Sequence, residues 1–447
     1  MNALLGACYA AGMALADAAG VVASALAPEA ENKLLRSLRA RRGLLTRWAA
    51  HTASRDNSRP LVWWHAPSVG EGLQARPVAQ AARRAHPDWQ QAYSFYSPSA
   101  ERFACSVGAE FSDYLPFDRA ASADTLLQRL TPSALVFAKL DVWPVLVARA
   151  KRQRVPVALI SATLSAVSGR RGVLSSALLR DAYAALDAVG AIDAVNAERL
   201  VALGVRPQVV EVTGDTRFDQ VAERAACVNR ASPLLTLLAS ERPTLVAGST
   251  WPADEAPLCA AWEALRDRHD ARGKAPRLII APHEPGASHL KPLQHWASRI
   301  GARAGTLSEL EQRGRSDDVD VVIVDRVGVL GELYALAQLA FVGGGFHAAG
   351  LHSVIEPAAF GVPVLFGPQH HMSREAGLLL QAGAGFSVDS AAALQSRLTA
   401  LLLNEDDRRE SGARAADLVE AERGATARSL ALVERLVSRP AISQRSP

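Results

Sequence analysis

The chain has 447 residues, 49% of them hydrophobic and 21% charged, with a formal net charge of +4 at pH 7. This length and composition exclude a disordered chain and predict two globular domains, each with its own hydrophobic core. The small charge and the dispersed Lys and Arg residues argue against nucleic-acid binding, because they provide no basic surface that could follow a phosphate backbone.

The first element in chain order is an apolar segment at 3–28, followed by a basic stretch at 32–47 that has no acidic residue. A cleaved signal peptide carries its basic residues before the apolar core, so this order excludes one. The segment is expected to be a weak transmembrane anchor with its basic flank inside, or a helix lying on an anionic leaflet. Because of Asp17 and the many Ala residues, a helix packed on the protein is a further alternative. Both membrane alternatives place the body of the chain in the cytoplasm.

From residue 61 onward, short apolar stretches alternate with longer amphipathic ones. Seven strands are predicted in the first half, at 61–66, 92–97, 111–116, 134–139, 157–162, 188–192 and 209–214. Six more are predicted in the second half, at 244–250, 277–284, 319–326, 339–344, 363–367 and 386–389. This alternation is typical of an α/β fold with mostly parallel, doubly wound sheets. Residues 406–437 are predicted to be helical throughout.

Two such halves in series predict two Rossmann-like domains facing a central cleft, with ligands at the carboxyl ends of the strands. The predicted divisions are a membrane-associating segment at 1–48, a first domain at 49–217, a helical connector at 218–242, a second domain at 243–425, and a C-terminal helix and tail at 426–447.

In the first half, the motif HAPSVGEG (65–72) follows the first strand and opens the first helix. Gly70 is expected to allow a tight turn there, and Ser68 and Gly70 are assigned to substrate binding. Glu71 would stand at the helix start. Its position alone favours an acid that merely stabilises the first turn, but a carboxylate at a cleft is also suited to be a general base.

A second motif, AKLDVWP (138–144), places Lys139 and Asp141 at the end of another strand. Asp141 is a candidate catalytic residue, although an N-cap aspartate is equally plausible from its position. Arg217, which follows the residues TGD, and Lys139 are candidates to pair with an anionic substrate group.

In the second half, AGSTWPADE (247–255) ends a strand with Ser249 and Thr250, small donors suited to a phosphate. The motif APHEPG (281–286) ends the next strand with His283 and Glu284, although a histidine there is more often a hydrogen-bonded loop residue. The chain has no HExxH spacing and no paired carboxylates suited to a metal, and its four Cys residues form no CxxC pair. We therefore expect neither a metal nor a cofactor.

The stretch FVGGGFHAAGLHSVIEPAAFGVPVLFG (341–367) predicts a strand, a glycine loop, a helix at 353–360 and a second strand. Ser353 is a suitable N-cap, so this helix would direct free N–H groups and its positive end at the loop, where they attract phosphate. Gly344, Gly345 and His352 are assigned to the same nucleotide site.

Glu356 lies one turn into the predicted helix and could accept two hydrogen bonds from a ribose. The alternative is a helix acid that faces solvent. The neighbouring sequence, Pro-Ala-Ala-Phe, predicts a buried setting, in which an unpaired acid is costly, so the ribose interpretation is preferred.

Together and in this order, HAPSVGE, GDTRFD (214–219), AGSTWPADE, IIAPHE (279–284) and the glycine-loop stretch resemble the 3-deoxy-D-manno-octulosonic acid (Kdo) transferases of lipid A assembly. The resemblance covers about residues 60–380. It implies a GT-B fold and metal-independent, inverting transfer of Kdo from CMP-Kdo to a lipid A precursor at the cytoplasmic face of the inner membrane. It also implies that Glu71 is the base and that Glu356 binds the nucleotide.

The chain departs from the family at two places. Many members have Glu where this chain has Asp141, and many have GGHN where it has GLHS at 350–353. These departures bear on the acceptor and on the number of sugars added, and leave the fold and the nucleotide class unchanged. A sugar-nucleotide epimerase would need no membrane segment, and a non-catalytic binding protein would be expected to lack Glu71.

Overall fold

The computed structural model describes residues 3–26, 33–165, 168–348 and 350–438. The end of the predicted apolar segment, at 27–28, and the predicted tail at 439–447 lie outside the described residues. The chain forms two compact units. The N-terminal unit comprises Met1–Asp219 together with Arg423–Pro447, and the C-terminal unit comprises Gln220–Glu422.

The N-terminal unit contains a seven-stranded sheet in the order β3-β2-β1-β4-β5-β6-β7, with every pairing parallel. All seven strands predicted for the first half are confirmed. Their bounds are β1 Leu61–His65, β2 Gln90–Phe95, β3 Phe111–Tyr114, β4 Ala134–Ala138, β5 Val157–Ala162, β6 Ala188–Ala191 and β7 Val210–Val212. The inner strands are buried along their whole length because helices cover both faces of a parallel sheet.

Among the described residues, ten helices that precede residue 227 and one near the C-terminus accompany this sheet, and the tenth continues into the C-terminal unit. The first ten are α1 Ala3–Leu26, α2 Lys33–Ala40, α3 Leu44–His51, α4 Val69–Ala85, α5 Glu101–Ala104, α6 Ala120–Leu130, α7 Pro144–Arg152, α8 Val173–Ala184, α9 Ala194–Leu203 and α10 Thr216–Ala226. Short 3₁₀ turns lie at 98–100, 169–171 and 207–209.

Helix α1 contacts the body of its unit through polar side chains. The Tyr9 hydroxyl donates a hydrogen bond to Asp118 Oδ2 at 3.0 Å, and Asp17, which interrupts the apolar segment, forms an ion pair with Arg119. Burial, together with the charge of Asp118, raises the pKa of the Tyr9 hydroxyl. In the part of the chain that the structure describes, no helix has both the length and the apolar character needed to cross a membrane.

The C-terminal unit contains a second parallel sheet of seven strands, in the order β10-β11-β9-β8-β12-β13-β14. The bounds are β8 Thr244–Thr250, β9 Arg277–Pro282, β10 Ala304–Thr306, β11 Val321–Ile323, β12 Leu339–Val342, β13 Val364–Phe366 and β14 Gly385–Ser387. The six strands predicted for the second half are confirmed. Sequence reasoning missed β10, a three-residue edge strand without an apolar stretch.

Helices cover both faces of this sheet. They are α11 Pro233–Leu237, α12 Pro252–Glu263, α13 Ala287–Arg299, α14 Leu307–Arg313, α15 Leu330–Leu333, α16 Ile355–Ala358, α17 Arg374–Ala382, α18 Ala391–Leu403 and α19 Glu405–Ala421, with a 3₁₀ turn at 334–336. Successive residues of β8 enter separate cores, Leu245 on one face and Val246 on the other. This alternation follows from the two-residue period of a strand.

The prediction of one continuous helix at 406–437 is wrong. The chain breaks after α19 and starts a new helix, α20 Ala425–Val437, which packs on α4 in the N-terminal unit. Gly424 lies at the break with φ 88°, a left-handed conformation that favours glycine. Asp219 holds the start of α20, since its carboxylate accepts the N–H groups of Gly424 and Thr426, each at 2.6 Å.

Candidate active site

The predicted base, Glu71, lies in the first turn of α4, directly after β1. Its Oε1 is 3.1 Å from Lys139 Nζ, and its Oε2 accepts a hydrogen bond from the Ser68 hydroxyl. The structure thus brings together three of the residues predicted for the first half. Lys139 follows β4 with φ 65°, an uncommon conformation for a residue other than glycine and one that is concentrated at functional sites.

The surroundings of Glu71 keep its carboxyl group ionised. Burial by itself would raise the pKa of Glu71, but the hydrogen bond from Ser68 and the charge of Lys139 outweigh it, and the pKa is lowered. The Glu71 side chain keeps 18% of its surface exposed. An ionised, accessible carboxylate is the form that a general base requires.

The tight turn expected at Gly70 is not observed. Gly70 is the second residue of α4, it has no positive φ, and a Cβ there would meet nothing closer than the Ser68 hydroxyl at 3.8 Å. The glycine that the packing requires is Gly72, where a Cβ would lie under 3.0 Å from both Phe103 and the Tyr93 hydroxyl.

Asp141 belongs to a separate cluster after β4. Its Oδ1 is 3.0 Å from Arg170 Nη2, and its Oδ2 accepts the indole N–H of Trp143 at 3.0 Å and lies 3.6 Å from His65 Nε2. Burial would raise the pKa of Asp141, but the contacts with His65 and Arg170 lower it overall. His65 and Arg170 were not predicted as site residues; His65 could have been noticed as a histidine at the end of β1.

The N-cap alternative for Asp141 is not observed. Helix α7 begins at Pro144, and its free N–H groups at Val145 and Leu146 donate to Asp118, at 2.9 and 2.8 Å. Asp118, from the segment before α6, therefore satisfies the start of the helix, and the Asp141 carboxylate keeps its contacts with His65, Trp143 and Arg170.

Arg217 forms an ion pair with Asp215, an acid of the same sequence motif. Its Nε and Nη2 approach the fully buried carboxylate of Asp215, the closest contact being 2.6 Å from Nη2 to Oδ2. Asp215 offsets the charge of Arg217, whereas Lys139 lies beside Glu71. Of the two candidate cations, Lys139 is therefore the one within reach of the predicted base.

In the C-terminal unit, the glycine loop follows β12. A Cβ on Gly343, Gly344 or Gly345 would lie under 3.0 Å from the backbone of Ser249, Gly350 or Gly367, respectively. Glycines are thus required because four backbone segments pack directly against one another. The N–H of Gly344, a residue assigned to the nucleotide site, donates to the carboxylate of Asp254 at 2.7 Å.

Asp254 is a residue that sequence reasoning missed. It is fully buried in the first turn of α12, and its carboxylate accepts the N–H groups of Trp251 at 2.9 Å, Gly344 at 2.7 Å and Phe346 at 2.9 Å. The available signal was an acid three residues after the residue that precedes the helix, the position of the acid in a capping box.

The two small donors after β8 differ in their surroundings. Ser249 is half-buried with φ 53°. Thr250 is fully buried, and its hydroxyl donates to Glu255 Oε1 at 2.7 Å. Glu255 also contacts His289 Nε2 at 2.9 Å. The prediction that the Thr250 hydroxyl donates to a phosphate is therefore wrong, because this buried hydroxyl donates to Glu255 within the protein.

Four aromatic rings cluster beside these loops. The indole of Trp251 stacks on His347 with ring centroids 4.6 Å apart and also contacts His283 at 4.8 Å, and His283 stacks on His352 at 4.4 Å. The Trp251 indole N–H donates to His352 Nε2 at 3.2 Å. Burial and the neighbouring His283 lower the pKa of His352, which favours its neutral form. The structure thus brings together His283 and His352, which were both assigned to the nucleotide site.

The predicted helix at 353–360 is shorter in the structure. Helix α16 spans one turn, Ile355–Ala358, with Val354 at the N-cap position, and Ser353 is exposed. The His352 N–H donates to the carbonyl of Gly343 at 3.1 Å, which holds the preceding segment against the glycine loop. The prediction that Ser353 caps a helix is therefore wrong, and a single turn sums few peptide dipoles.

Glu356 lies in α16 and is half-buried, with 29% of its side chain exposed. Burial raises its pKa, and the opposing charge of Arg224 is distant, with Nη1 4.0 Å from Oε2. The predicted buried setting is thus observed. Glu284 is exposed, and its backbone carbonyl accepts from Gly286. Among the described residues, no group of three or more His, Cys, Asp or Glu side chains could hold a metal ion.

Comparisons with known proteins give a consistent family. The sequence profile described as "3-Deoxy-D-manno-octulosonic-acid transferase (kdotransferase)" matches residues 36–220. The chain is 31% identical over 385 residues to the 3-deoxy-D-manno-octulosonic acid transferase of Bordetella pertussis, covering 83% of this chain and 86% of the relative. It is 30% identical over 359 residues to that of Chlamydia trachomatis serovar A, covering 78% and 79%.

Solved structures share the fold. UDP-GlcNAc 2-epimerase from Neisseria meningitidis bound to UDP-GlcNAc has a TM-score of 0.61 at 14% identity, covering 85% of this chain and 100% of that one. A glycosyltransferase from Rickettsia africae has a TM-score of 0.52 at 10% identity, covering 86% and 100%. At these identities the likeness concerns the fold alone, and it confirms the predicted GT-B architecture.

Proposed function

The chain belongs to the 3-deoxy-D-manno-octulosonic acid (Kdo) transferase family, and from this premise we propose that it transfers Kdo from CMP-Kdo to a lipid A precursor, with inversion at the anomeric carbon. The observation that carries the mechanism is the ionised carboxylate of Glu71. Ser68, which follows β1, and Lys139, which follows β4, both contact it. This carboxylate is available to accept a proton from an acceptor hydroxyl.

In the proposed reaction, Glu71 removes the proton from the acceptor hydroxyl while its oxygen attacks the anomeric carbon of Kdo. The bond from that carbon to the phosphate oxygen of CMP breaks, and CMP leaves with the electron pair. A positioned general base of this kind contributes about 10²–10⁴-fold. Protonation of Glu71 releases Lys139 from its ion pair, so Lys139 can pair with the Kdo carboxylate or the phosphate.

The C-terminal unit is proposed to hold the cytidine nucleotide. Glu356 would accept hydrogen bonds from the ribose, and the side chains of Ser249, His283, His352 and Ser353 would surround the phosphate, with Glu284 and the Gly345 backbone at the edge of the same site. Small donors and imidazoles can hold a phosphate without a cation. Donor binding should therefore persist in EDTA.

We also propose that α1 and α2 attach the protein to the cytoplasmic face of the inner membrane. Leu15, Val22 and Leu34 are 70%, 56% and 65% exposed, and Leu15 and Val22 are seven residues apart, a spacing that places them on one face of α1. Part of the basic stretch has another role, since Arg41 is buried beside Tyr96. Membrane attraction would come from exposed basic residues such as Arg36 and Arg42, at about 1 kcal/mol each near an anionic surface.

The membrane proposal is tested with anionic liposomes and the double variant Leu15→Glu/Val22→Glu, which keeps the contacts of Tyr9 and Asp17. Flotation of the variant should be clearly weaker than that of the wild type at equal ionic strength. Equal flotation of the two proteins would contradict attachment through this face of α1.

Transfer itself is tested by incubating the protein with CMP-Kdo generated in situ and a lipid A precursor, in the presence of EDTA, followed by mass spectrometry of the lipid. We expect a product heavier by one or more Kdo units and release of CMP. Hydrolysis of CMP-Kdo without a new lipid product would argue against the proposed acceptor. An unchanged lipid together with unchanged CMP-Kdo would contradict the transferase proposal.

A further inference from the structure

A single buried carboxylate joins two loops of the C-terminal unit. Asp254 has no exposed surface, and it accepts hydrogen bonds from Trp251 on the α12 side and from Gly344 and Phe346 in the glycine loop. Asp254 and Gly344 are 90 residues apart in sequence. Hydrogen bonds from N–H groups to a carboxylate are stronger than those to a neutral acceptor, so this bridge fixes the glycine loop relative to the start of α12.

The bridge also determines where two ring systems lie. Trp251, whose backbone N–H is bound by Asp254, donates its indole N–H to His352 at 3.2 Å and stacks on His347. His352 is tied in turn to the glycine loop, through its backbone N–H to the carbonyl of Gly343 at 3.1 Å. The rings and the glycine loop thus share one support.

We propose that Asp254 is a positioning residue for the donor site, which sets the glycine loop and the Trp251 and His352 side chains in the arrangement that binds the cytidine nucleotide before it arrives. This inference rests on the proposed function in one respect, namely that the C-terminal unit binds the CMP part of the donor. Asp254 acts through its neighbours and does not touch the ligand.

The chemistry of the bridge requires a carboxylate. Three N–H donors converge on two oxygens, and a carboxylate can accept at both oxygens without donating. In Asp254→Asn, an amide NH₂ would replace one oxygen and face at least one of these N–H donors. A buried N–H would then lose its partner. A loop held by fewer bonds must be ordered when the ligand binds, which weakens binding.

The next residue provides a matched control. Glu255 is also buried in the first turn of α12, but its carboxylate contacts Thr250 and His289 instead of the glycine loop. Glu255→Gln therefore changes a buried carboxylate at the same helix start and leaves the bridge intact.

The experiment measures CMP binding by calorimetry for the wild type, Asp254→Asn and Glu255→Gln, well below the melting temperature of each. Asp254→Asn should raise the Kd for CMP about tenfold or more, because a binding loop has lost charged hydrogen bonds. It should also raise the KM for CMP-Kdo by more than it lowers kcat. Glu255→Gln should keep a Kd near that of the wild type. Equal Kd values for a folded Asp254→Asn and the wild type would overturn the inference.

Hydrogen exchange of peptides covering 342–348 provides a second measurement that does not depend on the variant folding. In the wild type without CMP, the Gly344 and Phe346 amides should already be protected, since the bridge is formed in advance. Exchange at the rate of an unstructured peptide without CMP, with protection only after CMP is added, would contradict the inference. Failure of the wild type to bind CMP would instead remove the proposed function, whatever the behaviour of Asp254→Asn.

Discussion

Glu71 and Glu356 lie at similar positions in the two units, each in the first turn of a helix that follows a strand. The pKa values of their carboxyl groups are nevertheless shifted in opposite directions. The pKa of Glu71 is lowered, because Ser68 and Lys139 contact it directly and outweigh its burial. The pKa of Glu356 is raised, because burial outweighs Arg224 at 4.0 Å. The comparison shows that the partners of a strand-end acid determine its ionisation, whereas its place in the motif does not.

The largest effect should come from removing the base. Glu71→Gln keeps the shape and the hydrogen bond to Ser68 but cannot accept the proton, so the rate of Kdo transfer should fall by about 10²–10⁴-fold. CMP binding should be unchanged, because the nucleotide site is proposed to lie in the other unit. Initial rates from lipid mass spectrometry measure the loss.

Glu101→Gln is the matched control for this prediction, since Glu101 is a first-turn glutamate of α5 that is 54% exposed and pairs with Arg36. It should transfer Kdo at the wild-type rate. Transfer by Glu71→Gln close to that of Glu101→Gln would show that Glu71 only stabilises the start of α4.

An intermediate effect is expected at Glu356. Glu356→Gln replaces a charged acceptor for the ribose hydroxyls with a neutral amide, so the Kd for CMP should rise about tenfold, the loss typical of one charged hydrogen bond. The rate at saturating CMP-Kdo should change little. Calorimetry with CMP measures the affinity, and Glu71→Gln serves as the control. Wild-type affinity in Glu356→Gln would contradict the ribose assignment.

The smallest effect concerns the free energy of unfolding, and it should have opposite signs in Glu71→Gln and Glu356→Gln. A lowered pKa means that ionised Glu71 stabilises the fold above the unfolded pKa, and that this contribution is lost as pH falls through the folded pKa. A raised pKa means that Glu356 contributes most below the unfolded pKa, and that this contribution is lost as pH rises through the folded pKa. At pH 7 without nucleotide, Glu71→Gln should therefore lower Tm and Glu356→Gln should raise it.

Thermal denaturation at pH 7 and at about pH 4, close to the unfolded pKa of Glu, measures both differences. As the pH falls, the Tm difference between Glu356→Gln and the wild type should disappear first. It is lost once the pH reaches the unfolded pKa of Glu, whereas the difference for Glu71→Gln is lost only at the lower, folded pKa of Glu71. Shifts of the same sign in both variants at pH 7 would remove the distinction between the two acids.

Much of the fold could be predicted from the sequence, because strand and helix periods are local. All the strands except β10 were predicted, and β10 has no apolar stretch to mark it. The break before α20 was not predicted. Gly424 is a single glycine within a helical pattern, and Asp219, whose carboxylate caps the new helix, lies 205 residues away in sequence. Helix α16 was predicted too long, because the contact between His352 and Gly343 is made only in the folded loop.

The sequence by itself determined the alternation of strands and helices, the placement of Glu71, Lys139, Ser249 and Glu356 at or after strand ends, and the family. Only the tertiary structure decided which groups meet. Glu71 reaches Lys139 across 68 residues, and Asp254 reaches Gly344 across 90. The physical reason is that a period or a motif is set by neighbours along the chain, whereas a carboxylate takes its charge state and its role from donors that other strands bring to the same edge of the sheet.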